Sequence, residues 1–204
     1  MSESVEEVTN KYYDEHGRSW ASGHQDQNFW ADALKEFSKL LPKGKIIEIG
    51  SGGGRDAGML ISMGYDYIGT DVSQTLLEVA QENNPGARFV YQSVYELNFP
   101  NEKFDGFWTA ATLLHIPKSR IDEALQSIKN VLKDDAVGFI SLKEGEGEEI
   151  VDKYEGKRFF AFYSMEEFEE VLKRNNFEVL WKLRQPVSEN TIWLQFIVRN
   201  RSDD

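Results

Sequence analysis

Short apolar runs alternate along the chain with stretches in which apolar residues recur at helical spacing. Apolar runs bounded by glycine or polar residues are typical of buried strands. The runs that predict strands are 45–50, 66–70, 88–92, 104–109 and 136–142. Helical spacing and capping residues predict helices over 28–41, 55–63, 73–83, 120–132 and 164–175. This alternation is typical of a parallel sheet with helices on both faces.

The last part of the chain has a different pattern. Two alternating strands, 177–183 and 191–199, are separated by a short connection that contains Pro186 and Asn190. Short connections join antiparallel neighbours, so we expect a C-terminal antiparallel hairpin that adds an antiparallel edge strand. The sequence therefore predicts an α/β fold with a doubly wound, mostly parallel, seven-stranded sheet. In such sheets, ligands bind beyond the carboxyl ends of the strands.

The length of 204 residues is sufficient for one domain with its own core. No internal repeat or low-complexity linker divides the chain. We expect one domain over 28–204, preceded by an N-terminal segment over 1–27. Nothing in the sequence specifies an oligomeric state.

The amino-acid composition limits the binding partners and the cellular location that we expect. The chain has 23 Lys and Arg against 35 Asp and Glu, a net charge of −12, which disfavours binding to nucleic-acid phosphates. It has no Cys, which excludes disulfides and thiolate metal sites. The acidic N-terminus does not resemble a signal peptide, and no apolar run is long enough to span a bilayer. We expect a cytoplasmic protein with no membrane partner.

The first predicted strand leads directly into a glycine-rich loop. Residues 48–54 read EIGSGGG, and a helix is predicted immediately afterwards. Glycines allow a ligand to lie against bare backbone. The second strand ends at Asp71, 21 residues after Gly50, where an acid can accept the hydroxyls of a ribose. The two features together predict a nucleotide-type cofactor.

The spacing of the glycines distinguishes between two classes of nucleotide-type cofactor. A dinucleotide fingerprint that starts at Gly50 fails at Arg55, and one that starts at Gly52 is satisfied by Ala57 but begins two residues past the strand end. The frame that starts at the strand end is E-x-G-x-G-x-G, from Glu48 to Gly54. This frame resembles the first motif of class I S-adenosylmethionine-dependent methyltransferases.

Further segments resemble the same superfamily. Residues 69–73 (GTDVS) resemble its second motif, 89–105 its third-strand region, and 108–117 (WTAATLLHIP) its fourth-strand motif. Residues 132–137 resemble its L-K-P-G-G turn, with the proline and both glycines missing. The resemblance covers roughly 12–177. It implies a Rossmann-like methyltransferase fold, S-adenosylmethionine as cofactor and S-adenosylhomocysteine as product.

The resemblance also implies roles for individual residues. Asp71 would hold the ribose, Gly50 to Gly54 would border the methionine part, and Ser93 stands where the family commonly has an aspartate near adenine. The full set of implied cofactor contacts is Glu48, Gly50, Ser51, Gly52, Gly54, Asp71, Val72, Ser93, Val94, Ala110 and Trp20. Family members often close an N-terminal aromatic segment over the cofactor, so 1–27 is an expected active-site cap. Its aromatics have packing of the first helix as an alternative role.

Candidates for the acceptor site follow the fourth and fifth strands. His115 is a candidate general base, with a hydrogen-bonded structural histidine as the alternative. Candidate substrate contacts are Tyr12, Tyr13, Lys143, Arg158 and Tyr163. The loop over 143–149 is acidic and glycine-spaced, so it is either a solvated loop or a lid whose acids meet a cationic or amine acceptor. His24 is a weaker candidate contact, and we expect His16 at the surface.

Two other functions remain open beside methyl transfer. One is an NAD-dependent oxidoreductase on a related sheet, and the other is a non-catalytic S-adenosylmethionine-binding protein. Within the methyltransferase interpretation, the acidic charge and the lack of a recognition domain favour a small-molecule acceptor. No His, Asp or Glu cluster has metal-ligand spacing, so we expect no metal.

Overall fold

The computed structural model of the chain describes residues 4–100, 103–153 and 156–201. Residues 1–3 of the expected cap segment and 202–204 of the expected domain lie outside the described residues. The helices are α1 (Val5–Ser22), α2 (Ala31–Leu40), α3 (Arg55–Ser62), α4 (Gln74–Asn83), α5 (Ile121–Val131) and α6 (Met165–Arg174). The strands are β1 (Lys45–Ile49), β2 (Asp66–Asp71), β3 (Arg88–Tyr91), β4 (Phe104–Ala110), β5 (Leu132–Lys143), β6 (Glu148–Lys153), β7 (Gly156–Ala161), β8 (Phe177–Ser188) and β9 (Thr191–Asn200).

Seven of these strands form one sheet in the order β3-β2-β1-β4-β5-β9-β8. The first five are parallel, and β9 pairs antiparallel with both β5 and β8. The doubly wound, seven-stranded α/β fold and its C-terminal hairpin are therefore confirmed. The expected antiparallel edge strand is wrong in one respect. The edge strand β8 has the parallel direction, because β9 inserts between it and β5.

The parallel strands end together at one edge of the sheet. Ile49 of β1 lies beside Thr70 of β2, and Ala110 of β4 lies beside Ser141 of β5. Asp71 and the end of β5 are three strands apart, which corresponds to about 14 Å at the usual strand spacing. The glycine loop begins at this edge, so the fold gathers the predicted site residues there.

Both faces of the sheet are covered. Ile47 and Ile49 of β1 belong to the core on the α5 and α6 side, whereas Ile46 packs in a second core with Phe37 of α2 and Leu60 of α3. Burial on both faces explains why β1 is almost continuously apolar. None of the described helices is long and apolar enough to cross a membrane.

Two elements differ from the sequence-based expectation. The N-terminal segment forms the long helix α1, which begins with a capping box between Ser4 and Glu7. The region after β5 does not stay a loop, because β6 and β7 pair as a separate two-stranded hairpin. Helix α1 packs on this hairpin, where the Thr9 hydroxyl accepts the Phe159 N–H at 2.9 Å.

Candidate active site

The glycine loop is folded tightly against the end of β2. The N–H groups of Gly50 and Ser51 both donate to the carbonyl of Thr70 at 2.8 Å. Gly50 has φ of 71°, and a Cβ there would lie 2.1 Å from the Thr112 hydroxyl oxygen, so only glycine fits. A Cβ on Gly52 would instead approach only the Trp20 ring, at 3.6 Å, within the cavity described below. The loop thus presents bare backbone to this space.

Asp71 ties the glycine loop to β2 and the following helix. Its Oδ2 accepts the N–H of Gly52 at 2.8 Å, and its Oδ1 accepts the N–H of Ser73 at 2.9 Å. Burial raises the pKa of the Asp71 carboxyl, against the opposing effect of these backbone donors. Each carboxylate oxygen can accept a further hydrogen bond. Asp71 can therefore shape the loop and still receive ribose hydroxyls.

Glu48 is only 2% exposed at the floor of the site. Its carboxyl accepts a hydrogen bond from the Tyr67 hydroxyl. Burial, with the nearby charge of Asp56, raises the pKa of Glu48 well above its usual value. Asp56 itself is paired with Arg55 at 2.5 Å. A cationic group entering the cavity beside Glu48 would favour ionisation of its carboxyl.

A single cavity of about 460 Å³ lies above the carboxyl edge of the sheet and beneath α1. It brings together most of the residues singled out from the sequence. Those in its lining are Glu48, Gly50, Ser51, Gly52, Asp71, Val72, Ser93, Val94, Ala110, Trp20, Tyr13, His115, Lys143 and Arg158. His24 also lines it, with Nδ1 placed 2.7 Å from the carbonyl of Trp20.

Three expected contacts lie outside the lining. Gly54, with φ of 77°, packs against α4, where a Cβ would meet Asn84 and Ala80. Tyr12 is buried on the outer side of Arg158, with its ring 4.7 Å from the guanidinium carbon. Tyr163 is buried against Phe168, with ring centroids 5.1 Å apart. Their positions fit packing rather than contact with a ligand.

One face of α1 forms the roof of the cavity. Asn10, Tyr13 and Trp20 all line it, and the rings of the last two meet edge to face at 5.3 Å. Trp20 also stacks on His24 at 4.3 Å. The spacing of these positions is helical. The same periodicity is present in the sequence. It could have predicted both helix α1 and the position of Asn10 in the cavity lining.

His115 is held in one tautomer by two contacts. Its Nδ1 lies 2.6 Å from the carbonyl of Phe159, which requires a proton on Nδ1. Its Nε2 can then accept from the Tyr13 hydroxyl at 3.1 Å, and this hydroxyl receives an N–H of Arg158 at 3.3 Å. Burial, together with the positive charges of Arg158 and Lys143, lowers the pKa of His115 to about 3. The ring is therefore neutral at physiological pH.

The acids after β5 do not reach the cavity. Glu144 forms an ion pair with Arg184 at 2.6 Å, and Glu148 accepts the N–H of Lys118 at 2.6 Å. The expected acidic lid for a cationic acceptor is thus wrong for these two side chains. Residues 154 and 155, between β6 and β7 in the chain, lie outside the described residues. Lys143 does face the cavity, with Nζ 4.6 Å from the Phe160 ring.

One lining residue that the sequence candidates do not include is Trp193. Phe160 of β7 and Trp193 of β9 both border the end of the cavity near Lys143. Trp193 lies directly beside Lys143 in the β5–β9 pairing. Only the strand order of the folded sheet brings them together, so no local sequence signal marks Trp193. In the part of the chain described here, no cluster of three or more His, Asp and Glu side chains is arranged to hold a metal ion.

Comparison with known proteins adds to this geometry. Residues 46–135 match the family model described as a methyltransferase domain. This range includes the glycine loop, Asp71, Ser93 and His115. No curated protein sequence matches the chain at a significant level.

Solved structures share the fold across almost the whole chain. The complex of DhpI with S-adenosylhomocysteine superposes with a TM-score of 0.78 at 19% identity, covering 98% of this chain and 99% of that one. A 1,6-didemethyltoxoflavin-N1-methyltransferase from Burkholderia thailandensis has a TM-score of 0.75 at 21% identity, covering 94% and 85%. An S-adenosylmethionine-dependent methyltransferase from Clostridium acetobutylicum has a TM-score of 0.70 at 17% identity, covering 95% and 99%.

Proposed function

We propose that this chain is a class I S-adenosylmethionine-dependent methyltransferase and that it methylates a small-molecule acceptor in the cavity beneath α1. The observation that carries the proposal is the continuity of this cavity. It extends from Asp71 and the glycine loop at one side to Lys143 and Trp193 at the other. Cofactor and acceptor would therefore share one enclosed space.

The residues at the Asp71 side fit S-adenosylmethionine. Asp71 would accept the ribose hydroxyls, Val72, Ser93 and Val94 would border adenine, and the loop backbone would border the methionine part. Ser51 supports this assignment, because its hydroxyl is buried in the cavity wall without a hydrogen-bond partner in the described structure. A buried hydroxyl without a partner is costly unless a ligand completes it.

The other side of the cavity would receive the acceptor. Tyr13 and His115 from α1 and the segment after β4 meet there with Lys143 and Arg158. Bound S-adenosylmethionine supplies a methyl group on a positively charged sulfur. The task left to the protein is to align the acceptor and exclude water, which lowers the barrier through positioning. His115 Nε2 would accept a hydrogen bond from the acceptor or from Tyr13 and so orient the acceptor, because a ring with a pKa of about 3 is a weak base near neutral pH.

We further propose that the segment over 1–27 acts as the cap of the active site. Helix α1 supplies Tyr13 and Trp20 to the roof and is anchored at both flanks. Asp14 accepts the Ser73 hydroxyl at 2.8 Å beside the Asp71 side, and Thr9 is bonded to β7 beside the acceptor side. A roof fixed at these two points can exclude water when both ligands are bound.

A small acceptor is supported by the dimensions of the cavity and by the charge of the chain. The cavity volume of about 460 Å³ is in the range of small-ligand sites. The net charge of −12 opposes docking of nucleic acid. The structural neighbour from Burkholderia thailandensis holds 1,6-didemethyltoxoflavin together with S-adenosylhomocysteine.

A transfer assay tests the proposed function. The full-length protein is incubated with S-adenosylmethionine labelled on the methyl group and with a size-fractionated cell extract. We expect label to enter the small-molecule fraction. Label that enters only protein or nucleic acid would contradict a small acceptor. The matched control is the Asp71→Asn variant, which should lose transfer at low cofactor concentration.

A further inference from the structure

Two positive charges in the acceptor side of the cavity have no acidic partner among the described residues. Lys143 extends from the end of β5 and Arg158 from β7. Among the residues that the structure describes, no carboxylate lies within ion-pair distance of either side chain. Their contacts are aromatic rings and one hydroxyl. Arg158 donates to Tyr13, and Lys143 faces Phe160 and Trp193.

The two charges lie close enough to act on one group. Lys143 Nζ is 4.6 Å and the Arg158 guanidinium carbon is 5.4 Å from the centroid of the Phe160 ring. Both charges therefore border the same ring, and Arg158 is near enough to lower the pKa of Lys143, so the two are positioned to act on one small acid. The Tyr13 hydroxyl, 3.3 Å from an Arg158 nitrogen, adds a third polar group to this place.

The carboxylates that line the cavity are already engaged. Glu6 pairs with Arg120 at 2.8 Å, and Asp56 pairs with Arg55 at 2.5 Å. Asp26 accepts the N–H of Asn28 at 2.9 Å. Asp71 accepts two backbone N–H groups, and Glu48 accepts the Tyr67 hydroxyl. None of these acids is available to neutralise Lys143 or Arg158. Within the described residues, therefore, no carboxylate balances these two charges, and a bound anion can do so.

Holding these two positive charges together destabilises the ligand-free protein, and a bound anion can remove this effect. Burial lowers the pKa of Lys143, and the positive charge of Arg158 lowers it further. Like charges held together away from bulk water are unfavourable unless a counter-charge joins them. An anion bound between them would gain two charge-assisted hydrogen bonds and remove their repulsion.

We propose that Lys143 and Arg158 bind an oxyanion group of the methyl acceptor, which is therefore a small organic acid such as a carboxylate, phosphate or phosphonate. This inference rests on the proposed function, because it gives a chemical class to the acceptor of that reaction. Phe160 and Trp193 provide an apolar surface beside the charges. They favour an acid whose body is flat or apolar.

The test compares probes of matched shape and different charge. Phenylphosphonate and benzoate are titrated into the full-length protein with saturating S-adenosylhomocysteine, alongside neutral benzamide and cationic benzylamine. Binding is followed by fluorescence, because Trp20 and Trp193 line the cavity. We expect both anions to bind at least about tenfold more tightly than benzamide, and benzylamine to bind most weakly.

Variants locate the anion. Lys143→Met and Arg158→Met should each weaken phenylphosphonate binding by at least about tenfold. Lys157→Met is the matched control, because Lys157 is the exposed neighbour of Arg158 on β7 and does not line the cavity. It removes the same charge and should leave the affinity within about twofold. Lys143→Arg retains the charge and should retain most of the binding.

The outcomes separate this inference from the proposed function. If S-adenosylhomocysteine binds but benzamide matches the anions, the organic-acid assignment is overturned and the methyltransferase assignment stands. Equal weakening by Lys157→Met would likewise overturn the assigned site. If S-adenosylhomocysteine does not bind while phenylphosphonate depends on Lys143 and Arg158, the proposed function fails and the anion site stands. Should a variant not fold, the probe comparison on the unmodified protein decides.

Discussion

The Tyr13 hydroxyl lies 3.1 Å from His115 Nε2, although 102 residues separate them in the chain. Helix α1 and the segment after β4 therefore meet through this polar contact in the cavity. Because Nδ1 of His115 is committed to the Phe159 carbonyl, Nε2 is the only ring nitrogen that can accept. His115 thus presents one defined hydrogen-bond acceptor beneath α1.

The first prediction concerns the charge of His115. Its pKa of about 3 lies below the ordinary histidine value of 6.5. As the pH falls through 6.5, the unfolded chain takes up the proton before the folded chain does. The stability associated with neutral His115 is therefore fully present above pH 6.5 and is lost progressively towards pH 3. The His115→Asn variant should lose less stability over this window than the unmodified protein.

Histidine NMR signals recorded between pH 5 and 7.5 report on the ring directly. The signal that disappears in His115→Asn should show no titration in this range. Adding phenylphosphonate should move its pKa upward, since an anion offsets the charges of Lys143 and Arg158. A midpoint near 6.5 in the free protein would contradict the buried, neutral state.

The second prediction concerns Asp71. Asparagine offers only one acceptor oxygen, so Asp71→Asn cannot accept from Gly52 and Ser73 and also serve a ribose. We expect the affinity for S-adenosylhomocysteine to fall about 10- to 100-fold, as for hydrogen bonds to a charged group. The control is Asp66→Asn at the opposite, exposed end of β2. An affinity unchanged in a folded Asp71→Asn protein would remove this residue from the site.

The third prediction concerns the stability cost of Lys143. Methionine retains the apolar contacts with Phe160 and Trp193 but removes a charge that Arg158 repels. We expect Lys143→Met to raise the free energy of unfolding by about 1 kcal/mol. Lys182→Met, which removes an exposed partner of Glu169, should change it by less than about 0.5 kcal/mol. Urea denaturation of both variants makes the comparison. Clear destabilisation by Lys143→Met would mean that its charge stabilises the empty fold.

The residues proposed to bind the cofactor could be predicted from the sequence because each of them follows a local sequence pattern. The glycine loop and Asp71 follow directly from two strand ends, and the parallel sheet places those ends together. His115 is likewise close in sequence to a strand end, because it follows β4 within the motif over 108–117. Asp71, His115 and the residues of the glycine loop other than Gly54 line the cavity in the structure.

The acceptor side was only partly predictable because it depends on long-range packing. Tyr12 and Tyr13 are adjacent in sequence, yet the helical geometry of α1 turns Tyr13 into the cavity and buries Tyr12 behind Arg158. Glu144 and Glu148 looked like a ligand-binding lid, but each finds a partner on another element. Trp193 enters the site only through the insertion of β9 beside β5.

The central claim is that the cavity above the glycine loop holds S-adenosylmethionine, and calorimetry with the purified full-length protein tests it most directly. S-adenosylmethionine, S-adenosylhomocysteine and NAD are titrated separately under the same conditions. We expect micromolar binding of the first two, with no measurable heat of binding for NAD. Micromolar binding of NAD, with none for S-adenosylmethionine or S-adenosylhomocysteine, would contradict it.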